Sequence, residues 1–160
     1  MIFVADAGPI ISFARAGRLE LLRQVVDAVW IPEAVYQELV TRGAGRPGAD
    51  EASRGEWIQR KPITQQATVR TLPRTLGEGE REAIMLAQEL GAVLIIDDPG
   101  ARDTAARLRI PFLGSLGILR EAKLRGIIPV VRPELDALRE HQFRVSNALY
   151  QTFLQQLGEA

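Results

Sequence analysis

Residues 76–98 read LGEGEREAIMLAQELGAVLIIDD, and this stretch decides the fold. Ala83, Ile84, Ala87 and Leu90 recur at the three- and four-residue spacing of one helix face, which predicts an amphipathic helix stopped by Gly91. The run AVLII that follows is short and apolar on both faces, which predicts a buried strand. It ends abruptly on Asp97 and Asp98. Helix followed by doubly buried strand is the repeating unit of a parallel sheet with helices on both sides.

The same unit extends in both directions. MIFVA, residues 1–5, is another buried run; it stops at Asp6 and is followed by Gly8-Pro9, which reads as a turn. Two short helices are expected between Ile10 and Val26, interrupted near Gly17. AVWI, residues 28–31, predicts a second strand, and Pro32 opens the helix PEAVYQELVTR. TRGAGRPGAD, residues 41–50, should be irregular, and WIQRKPIT around Trp57 suits a short edge strand before Pro62. Beyond the central stretch come a helix from about Gly100 to Leu108, a strand at Pro111 to Leu113, and a helix from Ser115 to Arg125. Two last helices are expected at Asp136 to His141 and Ser146 to Leu157. The expected fold is therefore α/β: a three-layer α/β/α sandwich around a parallel sheet, with C-terminal helices added. Residues 1–130 would form the α/β domain and residues 131–160 a helical extension packed on it.

Composition narrows the function. The 160 residues are 46% hydrophobic and 25% charged, which suits one soluble domain able to bury roughly 70% of its unfolded surface without staples. Absence of cysteine removes zinc ribbons, iron–sulfur sites, thiol nucleophiles and disulfides, and fits a reducing cytoplasm. With His141 as the one histidine, histidine-rich metal sites are excluded and a Ser-His-Asp triad would hang on a residue near the C-terminus. Twenty basic and 20 acidic side chains cancel, which argues against a polybasic nucleic-acid binder while leaving room for a local basic patch. All Lys and Arg residues except Lys61 and Lys123 are arginine, whose planar fork suits phosphate, although genomic base composition accounts for such an excess more simply. There is no basic start followed by a long apolar stretch, nor any run of about 20 apolar residues, so no membrane association is expected.

The strand-end acids stand where chemistry sits in such folds, because ligands bind outside the carboxyl ends of parallel strands. The helix before AVLII runs antiparallel to that strand, so its start, with Glu78, Glu80 and Glu82, reaches the same edge. Glu80 shares the face of Ala83, Ile84 and Ala87 and is the inward candidate, whereas Glu82 lines up with Leu86 and Glu89 on a more exposed side. Glu38 flanks the apolar stripe of its helix but lies about 9 Å from the helix start at ~1.5 Å per residue, so it needs a tilted helix. Glu33, at that helix start, is the alternative. Apart from Asp6, these acids also have structural explanations: Glu33, Glu78, Glu80 and Glu82 as helix-start charges, and Asp97 or Asp98 as a cap on the helix after Pro99. Together, carboxylates gathered at one partly desolvated spot repel one another, and a divalent cation resolves the repulsion. Oxygen donors alone select a hard ion, Mg²⁺ or Mn²⁺, which leaves open positions for phosphate oxygens. That is the chemistry of nucleases and phosphoryl transfer.

In the order VADAGPIISFARAGRLELL, IPEAVYQEL and LGEGEREAIMLAQELGAVLIIDDPGARDTAARLRIPFLGSLGILREAKLRGII, the sequence resembles the PIN-domain superfamily of nucleases, which includes VapC-type toxins. It is most similar to a branch of small PIN-like proteins with an Ala-Asp-Ala-Gly-Pro start and a C-terminal helical stretch, here VRPELDALREHQFRVSNALYQTFLQQLGE. The resemblance implies an acidic cluster that binds Mg²⁺ or Mn²⁺ while water attacks an RNA phosphodiester. It further implies an endoribonuclease toxin, restrained by a small antitoxin protein and forming a homodimer; the Leu149, Phe153, Leu157 stripe is expected chiefly to pack on its own core, with its exposed part available to the dimer. Carried over by residue, the catalytic acids fall on Asp6, Glu38, Glu80 and the Asp97-Asp98 pair, with Asp6, Glu80 and that pair as metal ligands. The pattern does not choose between Asp97 and Asp98. Arg42, Arg46 and Arg102 are the candidate phosphate contacts, and Ser115 in GSLGIL the candidate hydroxyl.

One position departs from the pattern. These nucleases commonly carry Ser, Thr or Asn two residues after the first Asp, and Gly8 offers no such group. The alternative is thus a catalytically weak or inactive PIN-like module that binds RNA or a protein. A third reading, a phosphatase of small phosphoesters, lacks the Asp-x-Asp nucleophile at Asp6-Ala7-Gly8. TRGAGRPG lacks the Gly-Lys-Ser/Thr of a phosphate-binding loop.

Overall fold

Phe3–Ala5 (β1) is the middle strand of five and is buried on both faces. In this computed structural model, which describes residues 1–159, β1 leads into the helices Ala7–Arg15 (α1) and Leu19–Val26 (α2) and then strand Val29–Ile31 (β2). Helix Glu33–Tyr36 (α3) continues as a π-helical turn, Gln37–Thr41, followed by Ala49–Arg54 (α4), strand Ile58–Arg60 (β3) and the single turn Gln66–Val69 (α5). Glu78–Leu90 (α6), Val93–Ile95 (β4), Pro99–Arg107 (α7), Phe112–Leu113 (β5) and Ser115–Leu124 (α8) complete the alternation. Arg132–Glu140 (α9) and Asn147–Gln156 (α10) close the chain.

The sheet order is β3-β2-β1-β4-β5, and every neighbouring pair is parallel. Phe3, Val4 and Ala5 sit opposite Val93, Leu94 and Ile95, while Val4 faces Trp30 on the other side. Side chains of a strand alternate between faces, and two cores follow from that alternation. Phe3, Ala5 and Ile95 join Ile10, Phe13, Leu22 and Ile118 under α1, α2 and α8. Val4, Leu94 and Ile96 point the other way, into Ile84, Leu86, Ala101 and Ala105 of α6 and α7. The result is the α/β/α sandwich that the apolar runs imply. Leu135, Leu138, Phe153 and Leu154 of the last two helices belong to the first of these cores, so residues 131–159 pack on the same body. Among the described residues no helix is long and apolar enough to cross a membrane.

Several boundaries differ from the sequence reading for identifiable reasons. Gly8 and Pro9 are not a turn: α1 starts at Ala7, directly after Asp6. The first N–H groups of a helix have no partner inside it, so Pro9 in the first turn forfeits nothing. Residues 49 and 50, the end of the stretch expected to be irregular, instead open α4, which runs to Arg54 once Gly48 has turned the chain at φ 94°. Helix α9 begins at Arg132, four residues earlier than the spacing suggests, because its free N–H groups find a distant acceptor. Glu159 accepts from Val131 N at 2.8 Å and from Arg132 N at 2.9 Å, and also from Lys123 Nζ at 2.7 Å.

Candidate active site

Strand order reverses between β1 and β4, and in open parallel sheets the crevice at that point is the usual binding place. Asp6 follows β1 there, and Asp97 and Asp98 follow β4 after Ile96. Helices α1, α3, α7 and α8 start at this edge because each follows a strand, and α6 starts there because it precedes β4. Each contributes the partial positive charge of its N-terminus, which favours carboxylates at that edge.

Asp6 is half-buried, and its N–H donates to Ile95 O at 3.1 Å, which ties it to β4. Its carboxyl is pushed from the ordinary 3.8 up to about 7, chiefly by burial; the Ala7 N–H opposes this, and the charges of Glu80 and Glu38 reinforce it. The backbone of α6 passes close by, since a Cβ at Gly79 would lie 3.6 Å from Asp6 Oδ1. Glu80 is also raised, first by burial and then by Asp98 and Glu38, against the Gly77 N–H that donates to its Oε1 at 2.9 Å. Asp6, Glu38, Glu80 and Asp98 therefore act on one another as one electrostatic group.

Glu38 reaches this group from the π-helical turn, where Arg42 N donates to Gln37 O at 2.9 Å, five residues back. The tilt demanded by an ideal helix is replaced by a local widening, a device that recurs at functional sites. Gly43 permits it: a Cβ there would stand 2.5 Å from Leu39 O and 2.8 Å from Glu38 O. Glu33, the alternative, is taken up by Gln37 at 2.9 Å and by Arg60 at 3.5 Å, and Glu78 is exposed. Glu82 is not an idle surface acid, because its Oε1 accepts from Ala34 N at 3.0 Å and so caps α3 from 48 residues away. No local sequence signal announces that contact.

The two adjacent aspartates have different partners. Asp98 Oδ2 accepts from Ala101 N at 2.9 Å as the N-cap of α7, and the same residue acts on Glu80. Asp97 is held by Ser115, which donates from its N–H to Oδ1 at 2.7 Å and from its hydroxyl to Oδ2 at 2.6 Å. Ser115 is fully buried, so the substrate-facing hydroxyl expected from sequence is corrected: it positions Asp97. Gly114 is required beside it, since a Cβ would lie 2.9 Å from Asp97 Oδ1.

Basic residues flank the acids on two sides. Arg42 and Arg46 line a cavity of about 340 Å³ together with Glu38 and Arg15. Arg102 and Asp97 line another of about 570 Å³. Arg15, and Arg120 and Arg144 in the second cavity, were not legible as site residues because only tertiary packing brings them there.

The donor set fits a hard cation: the grouped acids offer carboxylate oxygens alone, and among the described residues none of the ion pairs involves Asp6, Glu38, Glu80 or Asp98. The acids do not, however, form a ready-made cage of three or more ligating side chains among the described residues.

The sequence profile of a family described as DUF3368, PIN domain, matches residues 2–159. The chain is a PIN-domain protein. PIN domains are generally nucleases that depend on a divalent metal, so membership supports hydrolysis as the kind of chemistry. This PIN domain is similar in structure to a PilT N-terminus domain protein from the hyperthermophilic archaeon Sulfolobus solfataricus P2, with a TM-score of 0.56 and 20% identity. The likeness covers 76% of this chain and 93% of the archaeal one, and at that identity it is a likeness of fold. No curated protein matches the chain.

Proposed function

We propose that this PIN domain is a Mg²⁺- or Mn²⁺-dependent endoribonuclease, the toxin half of a toxin–antitoxin pair that a small antitoxin restrains, working in the cytoplasm as a homodimer. The observation that carries the nuclease reading is Asp6, whose carboxyl is pushed up to about 7 beside Glu80 and Glu38 at the switch point of the sheet. Such a group is unfavourable as it stands and becomes favourable when a cation neutralises it. Asp6, Glu80 and Asp98 would hold the ion, and Asp97, fixed by Ser115, would stand beside them at the start of α8. When bound, the ion would polarise a phosphoryl oxygen and acidify water.

The chain's own residues supply the rest. Glu38 is exposed at the mouth of the site and is the group able to accept a proton from the attacking water. Arg42 and Arg46 on one side and Arg102 on the other would hold phosphates, which positions RNA without reading its bases. Gly8 favours a second reading, a PIN-like module that binds RNA or a protein without cleaving. Its missing Cβ would stand 3.8 Å from Asp6 Oδ2, where a side chain could orient water and none is present.

The deciding experiment sets the wild type beside Asp6→Asn and Glu80→Gln, with Mn²⁺ titration and RNA cleavage as readouts. The nuclease reading expects metal-dependent cleavage that EDTA and either substitution abolish. Cleavage that survives both would overturn it, and Mn²⁺ binding without cleavage would favour the second reading.

A further inference from the structure

The cavity of about 570 Å³ between the β5–α8 edge and the segment entering α10 extends well beyond the acids, and its size falls in the ~300–1,000 Å³ range of ligand sites. Asp97 and Arg102 stand at the end nearest the acid site, Arg120 and Arg144 line it further out, and Phe112 and Phe143 supply apolar surface. Leu149, in the same lining, is 48% exposed, so the apolar part is open to a ligand.

Among the described residues, arginines without a carboxylate partner line both cavities; what distinguishes this groove from the one at Arg42 and Arg46 is its aromatic lining and the absence of an exposed acid such as Glu38. Arg18, Arg54, Arg60 and Arg125 have carboxylate partners, whereas Arg102, Arg120 and Arg144 have none among the described ion pairs. Arg102 lies over the Phe112 ring at 5.1 Å, and Arg120 lies over the Phe153 ring at 5.5 Å and donates to Gln156 Oε1 at 3.2 Å. Asp97 is the acid in the described lining, and Ser115 occupies both of its oxygens. The groove thus offers cations on aromatic platforms and little opposing charge, which complements an anion joined to a flat apolar group.

We propose that this groove seats nucleotides of single-stranded RNA adjoining the scissile phosphate, with phosphates on Arg120 and Arg144 and a base against the Phe112–Phe143 lining. The proposal rests on the nuclease reading and makes the C-terminal extension part of the substrate surface. A single strand is required because paired bases are stacked inside a helix and cannot reach an apolar floor, whereas unstacked bases can.

The test measures anisotropy of a fluorescein-labelled ten-nucleotide oligouridine in EDTA, using the Asp6→Asn chain so that binding is read without cleavage. On that background, Arg120→Ala with Arg144→Ala should weaken binding about tenfold or more and lower the slope of log affinity against log salt by about 1.4, roughly 0.7 for each lost phosphate contact. Phe143→Leu keeps an apolar side chain against the core and should weaken binding about fivefold with the slope unchanged. A hairpin duplex of the same length should bind more weakly than the single strand. Failure of the Asp6→Asn chain to bind the strand would overturn the proposal. So would binding and salt slope unmoved by the arginine substitutions, an outcome that would assign the groove to a protein partner. Cleavage by the wild type is scored separately, so cleavage with an inert groove refutes this proposal alone, and a responsive groove without cleavage refutes the nuclease step alone.

Discussion

Replacing Asp6 by Asn should stabilise the metal-free protein at pH 8 and do little once the pH lies below the ordinary carboxyl value of 3.8. The unfolded carboxyl titrates at the ordinary 3.8 and the folded one at about 7, so between those values the folded chain holds a proton that the unfolded chain has lost. Stability contributed by this group is complete below the unfolded value and drains away as pH rises to about 7. The shift of about 3 units, at ~1.4 kcal/mol each, sets a ceiling of about 4 kcal/mol on the cost of ionised Asp6. Asp6 retains some access to water, and screening reduces the expected gain to roughly 2 kcal/mol. Asn keeps an oxygen for the Ala7 N–H, so little else changes. Thermal melts in EDTA should place Asp6→Asn about 4–8 °C above the wild type at pH 8, with the difference shrinking as pH falls below about 7 and closing below 3.8. Added Mn²⁺ should raise the wild type and leave the variant where it was. An Asn variant that melts below the wild type at pH 8, or a difference indifferent to pH, would refute the account of the acid cluster.

Three further substitutions probe the supports of the site. Ser115→Ala removes the 2.6 Å hydroxyl donor to Asp97 Oδ2 and should cost about 2 kcal/mol in urea denaturation, with loss of any RNA cleavage. Gly43→Ala forces a Cβ against Leu39 O, should cost roughly 1–3 kcal/mol, and should lower the Asp6 pKa in an NMR titration by withdrawing Glu38. Glu159 is opposed by burial, yet hydrogen bonds from Lys123, Val131 and Arg132 hold its carboxyl below the ordinary 4.5, so its contribution is present above 4.5 and lost as pH falls through the lowered value. Glu159→Gln should therefore destabilise by about 2 kcal/mol at pH 7, and the wild type and variant should converge in acid denaturation.

Much of the architecture was written in local pattern. Short apolar runs bounded by acids or glycine have no polar face to turn to water, so MIFVA, AVWI and AVLII read as strands of a parallel sheet covered by the intervening amphipathic stretches. Their inner residues Phe3–Ala5, Val29–Ile31 and Val93–Ile95 form those strands, while Met1, Ile2 and Ala28 stay exposed. Once that alternation is accepted, Asp6, Asp97, Asp98 and the start of α6 fall at one sheet edge by connectivity alone. Sequence therefore determined the fold class, the edge that carries the acids, and the kind of side chain available there. Tertiary structure decided what depends on contacts between distant residues. It separated Asp98, beside Glu80, from Asp97, locked by Ser115 18 residues on. It brought Glu82 to the start of α3 and Glu159 to the start of α9, where each satisfies N–H groups that no neighbour in sequence can reach. It also widened the helix at Glu38 and gathered Arg120 and Arg144 into one groove. Periodicity reports which face of an element is buried; the partner of a polar atom, and the pKa that results, are set by what packs against it in space.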